Sequence, residues 1–378
     1  MAAVERVLVV GAGAAGCGAA ILLARAGVEV DLVDIKPEVG ALGSGITLQG
    51  NALRVFRELG VWPAVEANGF AFDTLGFRSP AGDLMFEIPD ARTGGPDLPA
   101  TVGMYRPTLA RILVDAAAAA GARASFGRGL AAIDQAPDSV TATFTDGSTA
   151  TYDLLIGADG VRSATRGLLG IDLPTHPTGM GIWRVIAPRP ASVARTDLIH
   201  GGPCYIAGYC PIDEHTLYAY LVEDADARPA HATMAAAEQL DVVRALAADY
   251  HGPWDEIRAS LADGAAVNYT WFEDHYLEPP WHRGRVVLIG DAVHVCPPTL
   301  AQGAAQALED ASVLAAELLA RDRVGDELWA AFGARRYERA RLVVEASVQL
   351  AVWLLEHDAN GDVPGLMARM AGLLSVPS

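Results

Sequence analysis

The stretch VLVVGAGAAGCGAAILLARAGVEVDLVD, residues 7–34, constrains the fold more than any other part of the chain. Val7 to Val10 read as a short buried strand, and Ala15 to Ala26 as a helix of small and aliphatic residues. Val28 to Val33 read as a second strand that ends at Asp34. Between first strand and helix, Gly11, Gly13 and Gly16 stand in the spacing G-x-G-x-x-G. Strand, glycine turn, helix and acid-tipped second strand, in that order, make a βαβ unit of the dinucleotide-binding kind.

Each part has a physical task. Gly11 lets the chain turn tightly, Gly13 lets a pyrophosphate approach the backbone, and Gly16 lets helix and sheet pack closely. The anion sits at the helix N-terminus, where free N–H groups and the helix dipole favour negative charge. Asp34 lies 18 residues beyond Gly16 and is placed to accept hydrogen bonds from a ribose diol. A glycine turn without a ligand is the alternative, and the complete context weighs against it. These residues leave open which dinucleotide binds.

At 378 residues the chain is long enough for two domains or one elaborate one. Hydrophobic residues make up 51% and charged residues 20%, a globular balance. The net charge of −18 argues against nucleic acid and anionic membranes as partners, since both call for a basic surface. Lys36 is the only lysine and sits just after the nucleotide strand, which disfavours Schiff-base chemistry. Cys17, Cys204, Cys210 and Cys296 show no metal-finger spacing and read as free thiols. His294 and Cys296 lack a third ligand nearby, so no metal is expected. The chain enters a core strand within a few residues, and no apolar run spans a bilayer, so a cytoplasmic protein is expected.

Further along, Asn51 to Leu59 reads as an amphipathic helix, residues 70–99 as hairpin strands and loops, and Arg106 to Gly121 as a helix. Asp146-Gly147 marks a tight hairpin. Residues 180–225 hold strand-like runs rich in aromatics, residues 232–262 look helical, and an arginine-rich helix runs from about Leu328 to His357. A β-rich middle between an opening βαβ unit and a late buried strand suggests a nucleotide domain interrupted by a second domain.

Two more stretches carry chemistry: DLLIGADGVRSATR at 153–166 and GRVVLIGDAVHVCPPTLAQGAAQALEDA at 284–311. In the second, Val286 to Ile289 reads as a buried strand with Asp291 just beyond its carboxyl end, where open α/β sheets bind ligands. A carboxylate there holds a sugar-alcohol hydroxyl, or else simply caps the next turn. With the glycine motif, these stretches make the chain resemble the flavin-dependent aromatic-ring monooxygenases of the para-hydroxybenzoate hydroxylase type over nearly its whole length.

The resemblance implies an α/β fold: a Rossmann-like FAD-binding domain interrupted by a β-rich substrate domain, with a C-terminal helical segment. The FAD domain is then expected at 1–72, 101–176 and 276–325, and the substrate domain at a hairpin, 73–100, and at 177–275. C-terminal helices follow at 326–378. It implies FAD as cofactor, NADH or NADPH and O2 as co-substrates, and hydroxylation of a small phenolic or heteroaromatic ring through a flavin C4a-hydroperoxide. A monomer or homodimer is expected. Other reactions on the scaffold, a reductase or a halogenase, and a non-catalytic flavin-binding redox sensor are the alternatives. GIWRVIAP lacks the halogenase W-x-W-x-I-P segment.

Residue by residue, the resemblance places FAD against Gly11, Gly13, Ala15, Gly16, Asp34 and Ile35. It adds Arg106, in MYRPTLARIL, and Leu130, whose backbone would meet the adenine. Asp159, with Arg162 and Arg166 nearby, would support FAD and the pyridine nucleotide, and Asp291 would bind the ribityl chain. Gln302 and Gly303 close a loop, Pro297 to Gly303, on one side of the isoalloxazine, with Pro298 near its reacting edge; Gly45 to Leu48 form a second loop beside it. The chain departs from the pattern at Ala301, where relatives carry glycine, at Cys296-Pro297-Pro298, and at Gln49-Gly50-Asn51. Candidate substrate contacts are Arg184, Tyr209, Tyr220 and Pro298. By strand period, Cys204, Ile206, Gly208 and Cys210 share one face, and Tyr205, Ala207 and Tyr209 the other; Tyr218 and Tyr220 share a face.

Overall fold

Valine-rich strands at the start of the chain have too little polar surface to face water on either side, and they form the middle of a sheet. The computed structural model describes residues 2–40, 44–225 and 234–378. Its central sheet has the order His282–Arg283, Val286–Leu288, Leu154–Gly157, Arg6–Val10, Glu29–Asp34, Arg123–Phe126. All neighbours run parallel except the first pair. Val7, Leu8, Val9, Leu154, Leu155 and Ile156 are fully buried, as expected for parallel strands covered on both faces.

One face is covered by the helices Ala14–Arg25, Arg106–Ala119 and Gly303–Ala320. The other carries the three-stranded meander Leu130–Gln135, Val140–Phe144, Thr149–Tyr152, whose Leu130, Val140 and Phe144 pack on Leu8, Val10 and Val33. Its tight turn falls at Asp146-Gly147, where Gly147 takes φ +81°. The glycine turn, Asp34, Gly157 and the Gly290-Asp291 turn all lie at or just past the carboxyl ends of neighbouring parallel strands. The topology thus gathers the three motifs at one edge.

The second sheet has eight strands in the order His294–Val295, Val267–Tyr276, His176–Pro188, Thr216–Asp224, Ile206–Pro211, Thr196–His200, Thr74–Arg78, Leu84–Pro89. Its residues alternate between two environments. Trp183, Val185, Leu217 and Ala219 face the helices Ala236–Leu246 and Pro253–Ser260. Ile182, Tyr218, Tyr220 and Val222 face the opposite way, toward Phe72, Tyr105 and the long helix Asp326–Leu355. The chain ends in the helix Val363–Ser375. Among the described residues no helix is long and apolar enough to cross a membrane.

Two expectations change. Gly45 to Leu48 is no loop: Gly45–Gln49 is a strand paired antiparallel with Thr101–Tyr105. That partner is remote in sequence, so no local pattern announces the pairing. The helical stretch expected at 232–262 is two helices, broken at Gly252, which takes φ +70°, and Pro253; its first two residues lie outside the described ones.

Candidate active site

At the carboxyl edge of the central sheet lies a cleft of about 460 Å³, lined by Gly13, Ala15, Asp34, Ile46, Arg106, Asp291 and Gly303 among others. The glycine turn builds its floor. Gly11 takes φ +105°, and a Cβ there would fall 2.3 Å from the Ala158 oxygen. A Cβ on Gly16 would fall 1.9 Å from the Gly11 oxygen. Gly13 differs, because nothing lies within 4 Å of where its Cβ would project. The helix that follows starts with no side-chain cap and no acid in its first turn, which leaves its free N–H groups open to an anion in the cleft. Open space over Gly13 and an uncapped helix N-terminus fit a pyrophosphate.

Asp34 braces the turn before it meets any ligand. Its Oδ2 accepts the Ala12 N–H at 2.9 Å and its Oδ1 the Lys36 N–H at 2.8 Å. A carboxylate has about four lone-pair positions, so two bonds leave capacity for a ribose diol. Arg106 opens the helix Arg106–Ala119 with an exposed side chain in the cleft. Its guanidinium has no acceptor among the described residues, at a helix end whose dipole disfavours a cation. A ligand anion would resolve both.

Asp291 sits on the cleft floor, reached by solvent yet ringed by protein. That enclosure pushes its carboxyl pKa up, while His294 and Arg106 pull it down. Three side chains fix its turn: Gly290 donates its N–H to Asp310 at 2.8 Å, His275 Nε2 donates to the Asp291 carbonyl at 3.0 Å, and Arg166 donates to the Ala292 carbonyl at 2.9 Å.

Several expected contacts stand elsewhere. The Asp159 carboxylate is taken up by the Ser163 hydroxyl and by the Thr165 N–H and hydroxyl, both at 2.9 Å; Ala158 and Gly160 line the cleft instead. Arg166 is buried and donates to the carbonyls of Val161, Leu173 and Ala292, a structural brace, whereas Arg162 is exposed. The Leu130 side chain belongs to the core, leaving only its backbone for a nucleotide, and Ile35 is 72% exposed beside Gly129. Gln302 is fully buried with its amide spent on Gln49, Asn51 and Gln306, so its side chain does not reach the cleft. Pro298 is exposed on the short turn Pro298–Leu300.

On the substrate side, Arg184 and Tyr220 fall together, in register with each other, on the face of the eight-stranded sheet that packs toward Phe72 and Tyr105; neither is among the residues lining the cleft. Tyr218 joins them, its ring centroid 5.5 Å from that of Tyr220, and its hydroxyl lies 2.7 Å from that of Thr47. The strand carrying Thr47 packs so tightly here that a Cβ on Gly45 would fall 1.8 Å from Tyr218 Cδ1. Arg184 donates to Thr270 Oγ1 at 2.7 Å and meets no carboxylate among the described residues. Burial pulls its pKa down to about 10, so it stays cationic at neutral pH. Burial likewise pushes the Tyr218 and Tyr220 hydroxyls up, keeping both protonated.

Tyr209 is not with them. It is fully buried on the helix-covered face, and its hydroxyl donates to Asp197 at 2.7 Å. Cys204 also packs on that face, against the expected parity, because the regular strand begins only at Ile206. Thr47, Thr270, His275 and the acids Glu309 and Asp310 were not singled out from sequence. Only the acid pair left a signal there, two adjacent carboxylates inside an apolar helix.

The family model described as FAD binding domain matches residues 5–347. The chain is 32% identical over 359 residues to a 3-amino-4-hydroxybenzoate 2-monooxygenase of Streptomyces cremeus, covering 91% of this chain and 84% of that one. It is 30% identical over 319 residues to a 6-hydroxynicotinate 3-monooxygenase of Bordetella bronchiseptica, covering 82% and 81%. The crystal structure of Klebsiella pneumoniae HpxO complexed with FAD and uric acid superposes with a TM-score of 0.80 at 25% identity, covering 98% and 92%. Glycine turn, strand-end acids and relatives agree: the chain belongs to the FAD-dependent aromatic-ring monooxygenases of the para-hydroxybenzoate hydroxylase type.

Proposed function

We propose that the protein uses NADH or NADPH and O2 to hydroxylate a small phenolic or heteroaromatic ring that carries an acidic group. The observation that carries this reading is Arg184. A guanidinium held among Tyr218, Tyr220 and Thr270 with no carboxylate partner among the described residues costs free energy that an anionic ligand would offset. Its planar fork suits a carboxylate or an acidic ring oxygen. Both relatives' names describe hydroxylated aromatic acids, which agrees with a cation at this position.

FAD, when bound, supplies the redox and oxygen chemistry. The chain's own contribution is position. In this reading Gly13, Asp34 and Arg106 hold the dinucleotide, Asp291 holds the ribityl chain, and residues 73–100 and 177–275 present the ring. Tyr220 and Tyr218 orient it, and the Tyr218–Thr47 hydroxyl pair gives a phenol proton a neutral hydrogen-bonded partner. Ile182, Val222 and Phe272 line the same sheet face with apolar surface that excludes water.

The test is stopped-flow reduction of the flavin with and without a hydroxylated ring acid and its neutral amide. The acid is expected to speed reduction at least ~10-fold, about 1.4 kcal/mol in barrier, and the amide far less. Arg184→Gln should abolish the difference between them. Equal effects of acid and amide on the wild type would overturn the anionic-substrate reading.

A further inference from the structure

The helix Gly303–Ala320 carries two adjacent carboxylates, Glu309 and Asp310, and neither is exposed to solvent. Neighbouring side chains on a helix point roughly 100° apart, so the two acids serve different surroundings. Asp310 accepts the Gly290 N–H at 2.8 Å and pairs with His294 Nε2 at 2.7 Å, holding the turn that presents Asp291. Glu309 accepts from Asn51 Nδ2 at 3.1 Å. Asn51 and Gln302 exchange amide bonds of 3.0 and 3.1 Å, and Gln302 donates to Gln49 at 2.6 Å. Gln49 ends the strand whose Ile46 lines the cleft, and Gln302 precedes Gly303, which lines it too.

Arg336, itself fully buried, joins the two acids. Its Nε donates to Asp310 at 2.7 Å and its Nη1 to Glu309 at 2.8 Å, while Arg339 adds bonds of 2.7 and 2.8 Å to Glu309. Packing alone gives no reason for such a cluster, since well-packed apolar residues fill an interior at lower cost than ions. Two of its arms, through Asp310 to Gly290 and through Glu309 to Asn51 and Gln302, end at segments that form the cleft, while Arg339 reaches out to the Leu373 carbonyl of the C-terminal helix.

We infer that Glu309 and Asp310 are a positioning pair. Asp310 fixes the turn bearing Asp291, Glu309 fixes the amide bridge between Gln49 and Gln302, and Arg336 locks the two arms into one geometry. Neither acid touches the cleft. Each acts on bound FAD through the segments it holds.

Asn51→Ala tests this, because it cuts the arm between Glu309 and the amide bridge and leaves the ion pairs of Glu309 with Arg54, Arg336 and Arg339 intact. Glu309→Gln is the companion variant, and if it fails to fold the asparagine variant carries the test. The readouts are FAD affinity by titration and visible circular dichroism of the bound flavin, beside thermal melting of the apoprotein. Asn51→Ala is expected to weaken FAD binding at least about 5-fold and to alter the flavin dichroism. Unchanged affinity or unchanged flavin dichroism in Asn51→Ala, whether or not melting moves, overturns the positioning role and leaves a cluster that only stabilises the fold.

Discussion

His275 Nε2 lies 3.0 Å from the carbonyl oxygen of Asp291. A carbonyl only accepts, so Nε2 carries the proton and the buried Nδ1 is left bare, with no hydrogen-bond partner among the described residues. The imidazole that braces the cleft turn is therefore neutral.

This has a pH consequence. Burial holds the His275 pKa down to about 4, against an ordinary value near 6.5. The unfolded chain therefore binds a proton that the folded chain refuses, so this contribution to stability is complete above about pH 6.5 and falls away as pH drops toward 4. Between pH 7.5 and 5 the loss is roughly 2 kcal/mol. His275→Gln, which keeps a donor without the titration, is expected to lose about that much less over the same interval in chemical unfolding. Parallel wild-type and variant profiles would remove His275 as the titrating group.

Ala301 adopts φ +51° and ψ +34°, the left-handed region that side chains avoid. An alanine in that geometry carries a local cost of about 1 kcal/mol. Ala301→Gly relieves that cost and loosens the unfolded chain, for a net change between about 0 and +1 kcal/mol in stability. A loss of about 1 kcal/mol, as for Ala→Gly in ordinary helix, would show that the left-handed geometry is wrong.

Asp291 and Asp159 look equivalent in sequence, each just past a buried strand, yet only Asp291 lines the cleft. Asp291→Ala is expected to weaken FAD binding by about 1–3 kcal/mol in titration. Asp159→Ala, which removes the acceptor for Thr165 and Ser163, should lower stability by about 0.5–2 kcal/mol with a smaller effect on FAD. The reverse ranking of FAD affinities would reassign the ribityl contact.

That contrast shows what the sequence could carry. The βαβ unit was legible because its logic is local: three glycines, a helix and an acid within one continuous stretch. The place of Asp291 at the cleft was legible because a buried strand points at it. Alternation along a strand correctly groups Tyr218 with Tyr220, but it does not say which face the helices cover, and so it cannot separate Tyr209 from Tyr220. Arg166 is a brace because of three backbone acceptors, Val161 and Leu173 nearby in the chain and Ala292 far along it, and carbonyls leave no mark in a side-chain pattern. The strand Gly45–Gln49 and the Glu309–Asp310 cluster depend on partners far along the chain; the adjacent acids in an apolar helix are the one local sign, and they do not name those partners.

The measurement closest to the central claim is turnover under labelled dioxygen with NADH or NADPH. It uses a hydroxylated ring acid whose binding is first established by its perturbation of the flavin spectrum. The account predicts one labelled oxygen atom in the ring product, with KM for the acid raised at least ~10-fold in Arg184→Gln. A bound acid that leaves all the label in peroxide and water, with an unlabelled ring, would contradict it.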